Sequence, residues 1–130
     1  MNILVLNGSP RPNGNTAAMV EAFAEGASEN LKETEMIVLA SSVYYYSFTG
    51  QLQCAINRIY ALDKPKKLKK AALFLSSGSD GVYDGAIYEY KNSFLDYLKL
   101  EDMGIFTAFG KQNKSEEKLD ELREFGRHLK

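Results

Sequence analysis

The stretch Ile3-Leu4-Val5-Leu6-Asn7-Gly8-Ser9-Pro10-Arg11-Pro12-Asn13-Gly14-Asn15-Thr16 sets the reading of the whole chain. A short apolar run stops at Asn7-Gly8, and a helical pattern starts at Thr16. Continuous rather than alternating apolarity fits a strand buried on both faces, as in a parallel sheet. The residues between are small, polar or turn-forming, so the stretch reads as strand, loop and helix start.

The same alternation continues. Further apolar runs lie at 36–40, 71–75 and 105–109. Helical stripes fill the gaps. Met19, Phe23, Ala27 and Leu31 share a face over 16–31. Leu52, Ile56 and Ile59 do so over 49–62, with Ala55 beside them. Over 84–98 the stripe is Ile87, Phe94, Leu95 and Leu98. Asn113 with Glu116 three residues on has the form of a capping box, and Leu119, Leu122, Gly126 and Leu129 follow as the last stripe. These stripes are core packing. The order β-α-β-α-β-α-β-α predicts an open parallel sheet of four strands with helices on both faces. Ligands in such sheets bind beyond the carboxyl ends of the strands. The loops that matter are therefore 7–15, 41–49, 76–84 and 110–113.

Composition bounds the rest. The chain has 130 residues, 45% of them hydrophobic, 25% charged, with a net charge of -1. That is the size of one domain, expected to span 1–130, and an ordinary soluble composition. No basic excess points to nucleic acid. One cysteine, Cys54, and one histidine, His128, make a zinc site or an internal disulfide unexpected. Cys54 reads as a small buried residue within its helix. No run approaches a membrane span, and the N-terminus lacks the form of a signal peptide, so a cytoplasmic protein is expected. Lys64, Lys66, Lys67, Lys69 and Lys70 precede the third strand, at the wrong end of the sheet for a ligand, and read as solvated surface.

The first loop can hold a phosphate. Backbone N–H groups at a helix start are unpaired and carry partial positive charge. Ser9, Asn15 and Thr16 add side-chain donors, Arg11 adds a full charge, and Gly8 and Gly14 let the backbone come close. A polar turn ahead of a capped helix is the plainer alternative. A P-loop needs Gly-x-x-x-x-Gly-Lys-Ser/Thr, but here five residues separate Gly8 from Gly14 and Asn15 stands at the lysine position. The dinucleotide fingerprint Gly-x-Gly-x-x-Gly is missing too. A monophosphate such as flavin mononucleotide (FMN) fits better.

Residues 8–16 resemble the phosphate loop of the NADPH-dependent FMN reductase family, within the flavodoxin-like superfamily. Val43-Tyr44-Tyr45-Tyr46-Ser47-Phe48-Thr49-Gly50-Gln51-Leu52, followed by Arg58, resembles its flavin-ring loop. Ser76-Ser77-Gly78-Ser79 through Tyr83-Asp84-Gly85 resembles its second ring loop, and Met103-Gly104-Ile105-Phe106 its last strand. The resemblance implies that Ser9, Arg11, Asn13, Asn15 and Thr16 hold phosphate. It implies that Tyr44, Tyr45, Phe48, Thr49 and Gly50 line the ring, and that Ser77, Gly78 and Ser79 meet its polar edge. No protein acid or base is implied. FMN would accept hydride from NAD(P)H and pass electrons to a quinone, nitro compound or similar acceptor. The tyrosines also read as a β-rich aromatic run packing on a neighbour. Two rival functions are a shortened, impaired flavin-binding or association module, and an unrelated phosphate-ester enzyme using Arg11 and Thr16.

The chain departs from the family pattern. Between Ala27 and Val43 there is room for one strand, where the family has two and a connecting segment; roughly fifty residues are missing. Residues 33–40 could pass for the family's second strand or its third; they lead straight into the tyrosine loop, which favours the third. The cysteines that carry an iron–sulfur cluster in related flavoproteins are missing with that segment. Ser42 replaces a usual proline, and Tyr46 a usual glycine, which puts catalysis more in question than phosphate binding. Strand 2–7 then becomes an edge. Right-handed crossover moves the first helix to the face opposite its place in the five-stranded fold, or else the first strand and helix come from a neighbouring chain. One face would lose its helical cover. An apolar edge invites pairing, so an obligate homodimer with exchanged or edge-paired segments is expected.

Overall fold

A computed structural model describes residues 2–9, 14–19, 22, 35–61 and 67–129. Its strands are β1 (Ile3–Asn7), β2 (Glu35–Ser42), β3 (Leu68–Ser77) and β4 (Glu101–Phe109). They form one sheet in the order β1-β2-β3-β4, every neighbour parallel. The register pairs Val5 with Val38, Leu39 with Leu73 and Phe74 with Phe106. This is the flavodoxin-like α/β arrangement, with four strands as the sequence implied.

The helices are α1 (described at 15–19 and 22), α2 (Gly50–Ala61), α3 (Asp84–Glu89) and α4 (Glu116–Arg127). α3 runs on into wider, π-helical turns over Tyr90–Tyr97, and a 3-10 turn over Gly110–Lys114 precedes α4. Two apolar clusters sandwich the sheet. On one face, Ile37, Leu39, Leu73 and Leu75 pack against Leu52 and Ile56 of α2 and Ala86, Tyr90 and Phe94 of the α3 segment. On the other, Met36, Val38, Ala72 and Phe74 pack against Met19 and Ala22 of α1 and Leu122 beyond them. Central strands buried on both sides explain why their sequences read as unbroken apolar runs. Phe23, Ala27 and Leu31 of the first stripe lie outside the described residues.

Several expectations need correction. The third strand starts at Leu68, so Lys69 and Lys70 belong to it; Lys70 pairs in register with Glu101 of β4, which lets a lysine stand in the strand. β4 also starts earlier, at Glu101, and carries one extra residue opposite Ala71–Leu73, where Gly104 takes φ +150. Cys54 is exposed. It sits about 200° around α2 from both Leu52 and Ile56, which face the core, so it points to solvent. Tyr90, outside the expected stripe, is fully buried and donates to Asp102 Oδ1 at 2.9 Å. Burial, then that hydrogen bond and the Asp102 charge, push its phenol well above the ordinary range.

The face taken by α1 is the main surprise. All three connections step the same way across the sheet, yet α2 and the α3 segment lie on one face and α1 on the other. A right-handed first crossover would have placed α1 beside α2. Because α1 stays on the α4 side, that side keeps its cover, contrary to the exposed face expected. β1 is an edge strand, as anticipated, with β4 at the other edge, and its Leu4 is 57% exposed. Among the described residues, no helix is long and apolar enough to cross a membrane.

Candidate functional site

The loops after the four strands converge at the carboxyl end of the sheet, around a cavity of about 290 Å³. Each strand supplies part of its wall. Ser9 and Asn15 come from the first loop, and Ser42, Val43 and Tyr44 from the second. Ser76, Ser77 and Gly78 come from the third, and Gly110 and Asn113 from the fourth.

The first loop is held tightly where it leaves the sheet. Gly8 N donates to Ala40 O at 2.7 Å, and Thr49 Oγ1 donates to Gly8 O at 2.6 Å. A Cβ on residue 8 would lie 2.6 Å from Leu52 Cβ and 2.7 Å from Thr49 Oγ1, so only glycine fits. Asn7 Oδ1 then accepts from Ser9 N at 3.0 Å, bending the chain into the loop. Arg11 and Asn13 lie outside the described residues. The chain re-enters at Gly14, whose carbonyl accepts from Ala18 N at 3.1 Å. The N–H groups of residues 15–17 have no acceptor within α1, so they are the donors a helix start presents. Thr16 is buried behind the wall. Its hydroxyl lies 3.1 Å from Ser42 Oγ and 2.8 Å from Ser76 Oγ, tying three loops together.

The second loop is a tight reversal. Tyr44 and Ser47 exchange backbone hydrogen bonds of 3.3 Å, with φ +51 at Tyr45 and +69 at Tyr46. Positive φ at both central positions is the signature of a type I′ turn, which normally selects Asn or Gly. Tyr44 lines the cavity, whereas Tyr45, 98% exposed, and Tyr46 are not among the lining residues. Gly85 backs this turn, since a Cβ there would collide with the Tyr46 carbonyl. Phe48 is buried in the core. Thr49 is buried too; it caps α2 by accepting from Leu52 N at 3.3 Å, and its own N–H donates to Ser41 Oγ at 3.1 Å. Gly50, the first residue of α2, and Ser79 do not line the cavity.

At the third loop, Ser77 Oγ donates to Ser79 O at 2.6 Å and lies 2.7 Å from Tyr83 Oη. The fourth loop supplies a residue the sequence reading assigned elsewhere. Asn113 is no helix cap: Ser115 is, accepting from Lys118 N at 3.2 Å. Asn113 instead sits in the 3-10 turn, only 2% exposed, and its amide nitrogen donates to Ser77 O at 2.9 Å and Gly110 O at 3.0 Å. Two carbonyl acceptors fix which way the amide faces. Its Oδ1 is buried without a hydrogen-bond partner. A buried acceptor without a partner leaves hydrogen-bonding capacity unmet beside the cavity. The Asn-x-x-Glu spacing that suggested a cap concealed it.

Comparison with known proteins agrees with this arrangement. No curated protein matches the sequence. Among solved structures, the Trp repressor binding protein from Bacillus subtilis superposes with a TM-score of 0.73 at 17% identity, covering 99% of both chains. The NAD(P)H:quinone oxidoreductase from Methanothermobacter marburgensis gives 0.71 at 12% identity, covering 98% of this chain and 95% of that one. At such identities the likeness is one of fold. The family profile for NADPH-dependent FMN reductase matches residues 1–39 and 25–114. With that match across most of its length, the chain belongs to the NADPH-dependent FMN reductase family, whose cofactors are FMN and NAD(P)H.

Proposed function

We propose that this chain is an FMN-dependent oxidoreductase that draws electrons from NAD(P)H and delivers them to a quinone, nitro compound or similar small acceptor, in the cytoplasm. The observation that carries the reading is the cavity itself. Its wall holds Ser9 and Asn15, from the loop that opens α1, and Asn113 of the fourth loop, whose Oδ1 is buried without a partner. A polar wall beside a helix start suits a ligand that carries an anion, as FMN does. When bound, FMN supplies the two-electron chemistry. The protein's part is to bind, orient and shield.

In this reading Ser9, Asn15 and the backbone of residues 15–17, with Arg11 and Asn13 of the same loop, take the phosphate. Thr16 fixes the loop through Ser42 and Ser76. Tyr44 flanks the ring, and Tyr45, at the exposed turn, closes over it or over the acceptor. Phe48, Thr49 and Gly50 hold the tyrosine loop on α2 from below. Ser77 and Gly78 face the polar ring edge, with Asn113 beside them and Ser79 behind, held through its carbonyl by Ser77.

Titration with flavins tests this directly. FMN should bind and turn the protein yellow, and riboflavin, which lacks the phosphate, should bind much more weakly. Arg11→Ala should weaken FMN binding by about 1.5–3 kcal/mol, as for a hydrogen bond to a charged group. Asn113→Leu should weaken FMN and riboflavin alike, because it acts at the ring. Equal affinity of the unaltered protein for the two flavins would overturn the assignment. Flavin binding without NAD(P)H consumption would move the reading to a flavin-holding module.

A further inference from the structure

The first crossover is the odd one in the fold. β1, β2, β3 and β4 are parallel and consecutive, so all three connections step in one direction. α2 and the α3 segment pass over one face, and α1 over the other. Whatever hand the last two share, the first has the opposite one. Right-handed units make up about 98% of parallel crossovers. One left-handed unit is a smaller departure than two, so the exception is β1-α1-β2.

We infer that the segment 2–22, β1 with α1, is exchanged between two copies of this chain, so that each cavity joins the first loop of one copy to the other three loops of its partner. Exchange removes the anomaly. The handedness rule applies to strands joined by a continuous crossover, and in the exchanged pair β1 and the β2 beside it belong to different chains. Every contact of the segment is kept, which is why such exchange costs little. The Val5–Val38 register, the Gly8–Ala40 hydrogen bond and the Thr16 link to Ser42 and Ser76 simply become intermolecular. β1 is an edge strand and pairs with a neighbour on one side only, so no central strand has to leave the sheet. Residues 23–34 join it to β2, and twelve residues can span at most about 40 Å. The partner is thus a second copy, and it contributes Ser9 and Asn15 to the site.

A cysteine pair reads the exchange without any flavin. Val5 and Val38 are register partners and face the same side of the sheet. Val5→Cys with Val38→Cys, in a Cys54→Ser background, is oxidised and run in denaturant without reductant. Exchange gives a covalent species of twice the 14.6 kDa chain mass; a bond closed within single chains overturns it. Light scattering of the unaltered protein at micromolar concentration should give a dimer, and a stable folded monomer overturns the idea equally. If the cysteine pair fails to fold or to close, mixed dimers decide. One chain carries Thr16→Val and the other Asn113→Leu. Exchange leaves one site unaltered, so the mixed dimer binds half the flavin of the unaltered dimer. Without exchange each site carries one change, and binding falls to that of the single variants. This last arm rests on the proposed function, whereas the bond and the mass do not.

Discussion

Replacing Gly8 by alanine should destabilise the chain substantially. The added Cβ would stand 2.6 Å from Leu52 Cβ and 2.7 Å from Thr49 Oγ1. Carbon atoms in contact prefer about 3.5–4.0 Å, so roughly 1 Å must be found. Neither neighbour is the free end of a flexible side chain: one is the root of a buried leucine, the other a hydroxyl that caps α2. α2 must therefore move as a body. Overpacking of this kind costs about 1–3 kcal/mol. Losing the Thr49–Gly8 hydrogen bond adds about 0.5–1.5 kcal/mol. The sum is about 1.5–4.5 kcal/mol, or a melting-point fall of about 6–17 °C for a chain of this size. Gly50→Ala is the internal control. Nothing lies within 4 Å of its Cβ position and it is helical, so alanine there should be neutral or stabilising by up to about 1 kcal/mol. Urea unfolding followed by circular dichroism compares the two at an unchanged m-value. A Gly8→Ala loss below about 1 kcal/mol, or one no larger than that of Gly50→Ala, would refute the close approach of the first loop to α2.

Two further outcomes follow from particular residues. Tyr46→Gly should stabilise the fold by about 0.5–1 kcal/mol, since an L-residue in left-handed backbone costs about 1–2 kcal/mol and glycine's extra unfolded freedom returns about half. A melting point that falls would show that the turn does not hold Tyr46 left-handed. Tyr90→Phe should cost about 1 kcal/mol at neutral pH and flatten the alkaline arm of the stability curve. The phenol is raised in the folded state, so its contribution is complete below the unfolded value of about 10 and is lost as pH climbs above it, by up to about 1.4 kcal/mol per pH unit. An alkaline arm of unchanged slope in Tyr90→Phe would assign that arm to other groups.

Much of the fold was legible because its signals are local. Strands buried on both faces leave unbroken apolar runs, and those at 36–40 and 71–75 fall in β2 and β3. The loops at their carboxyl ends could be named in advance, and the cavity is built from them. What stayed hidden depends on three-dimensional context. Nothing in Tyr44-Tyr45-Tyr46 announces a turn with two left-handed residues, because the usual signal is Asn-Gly and tyrosine carries none of it. Phe48 and Thr49 looked like ring contacts by position in the loop, but α2 needs an apolar anchor and a cap there, and the core took both. Asn113 suits a helix cap and a cavity wall equally well in sequence. Only the placement of Ser77 O and Gly110 O beside it decides for the wall.

The missing strand affects the site and the assembly differently. In the five-stranded pattern that the sequence resembles, the missing strand would lie outside β1, and the cavity here draws on loops at the ends of β1, β2, β3 and β4. Removing it takes nothing from the cavity wall. What it changes is the route between β1 and β2. With the strand present, α1 leads outward and can lie on the α4 face with an ordinary crossover. Without it, α1 leads inward, and the same face demands the rare hand. Yet α1 cannot easily change faces, because Met19 and Ala22 fill the cluster with Val38, Phe74 and Leu122, and Thr16 is tied to Ser42 and Ser76. Packing and cavity both hold α1 on the α4 face, while chain connectivity resists that place. A second copy reconciles the two. In the exchanged arrangement proposed above, shortening bears on which chain supplies the first loop, while the cavity wall still draws on all four strands.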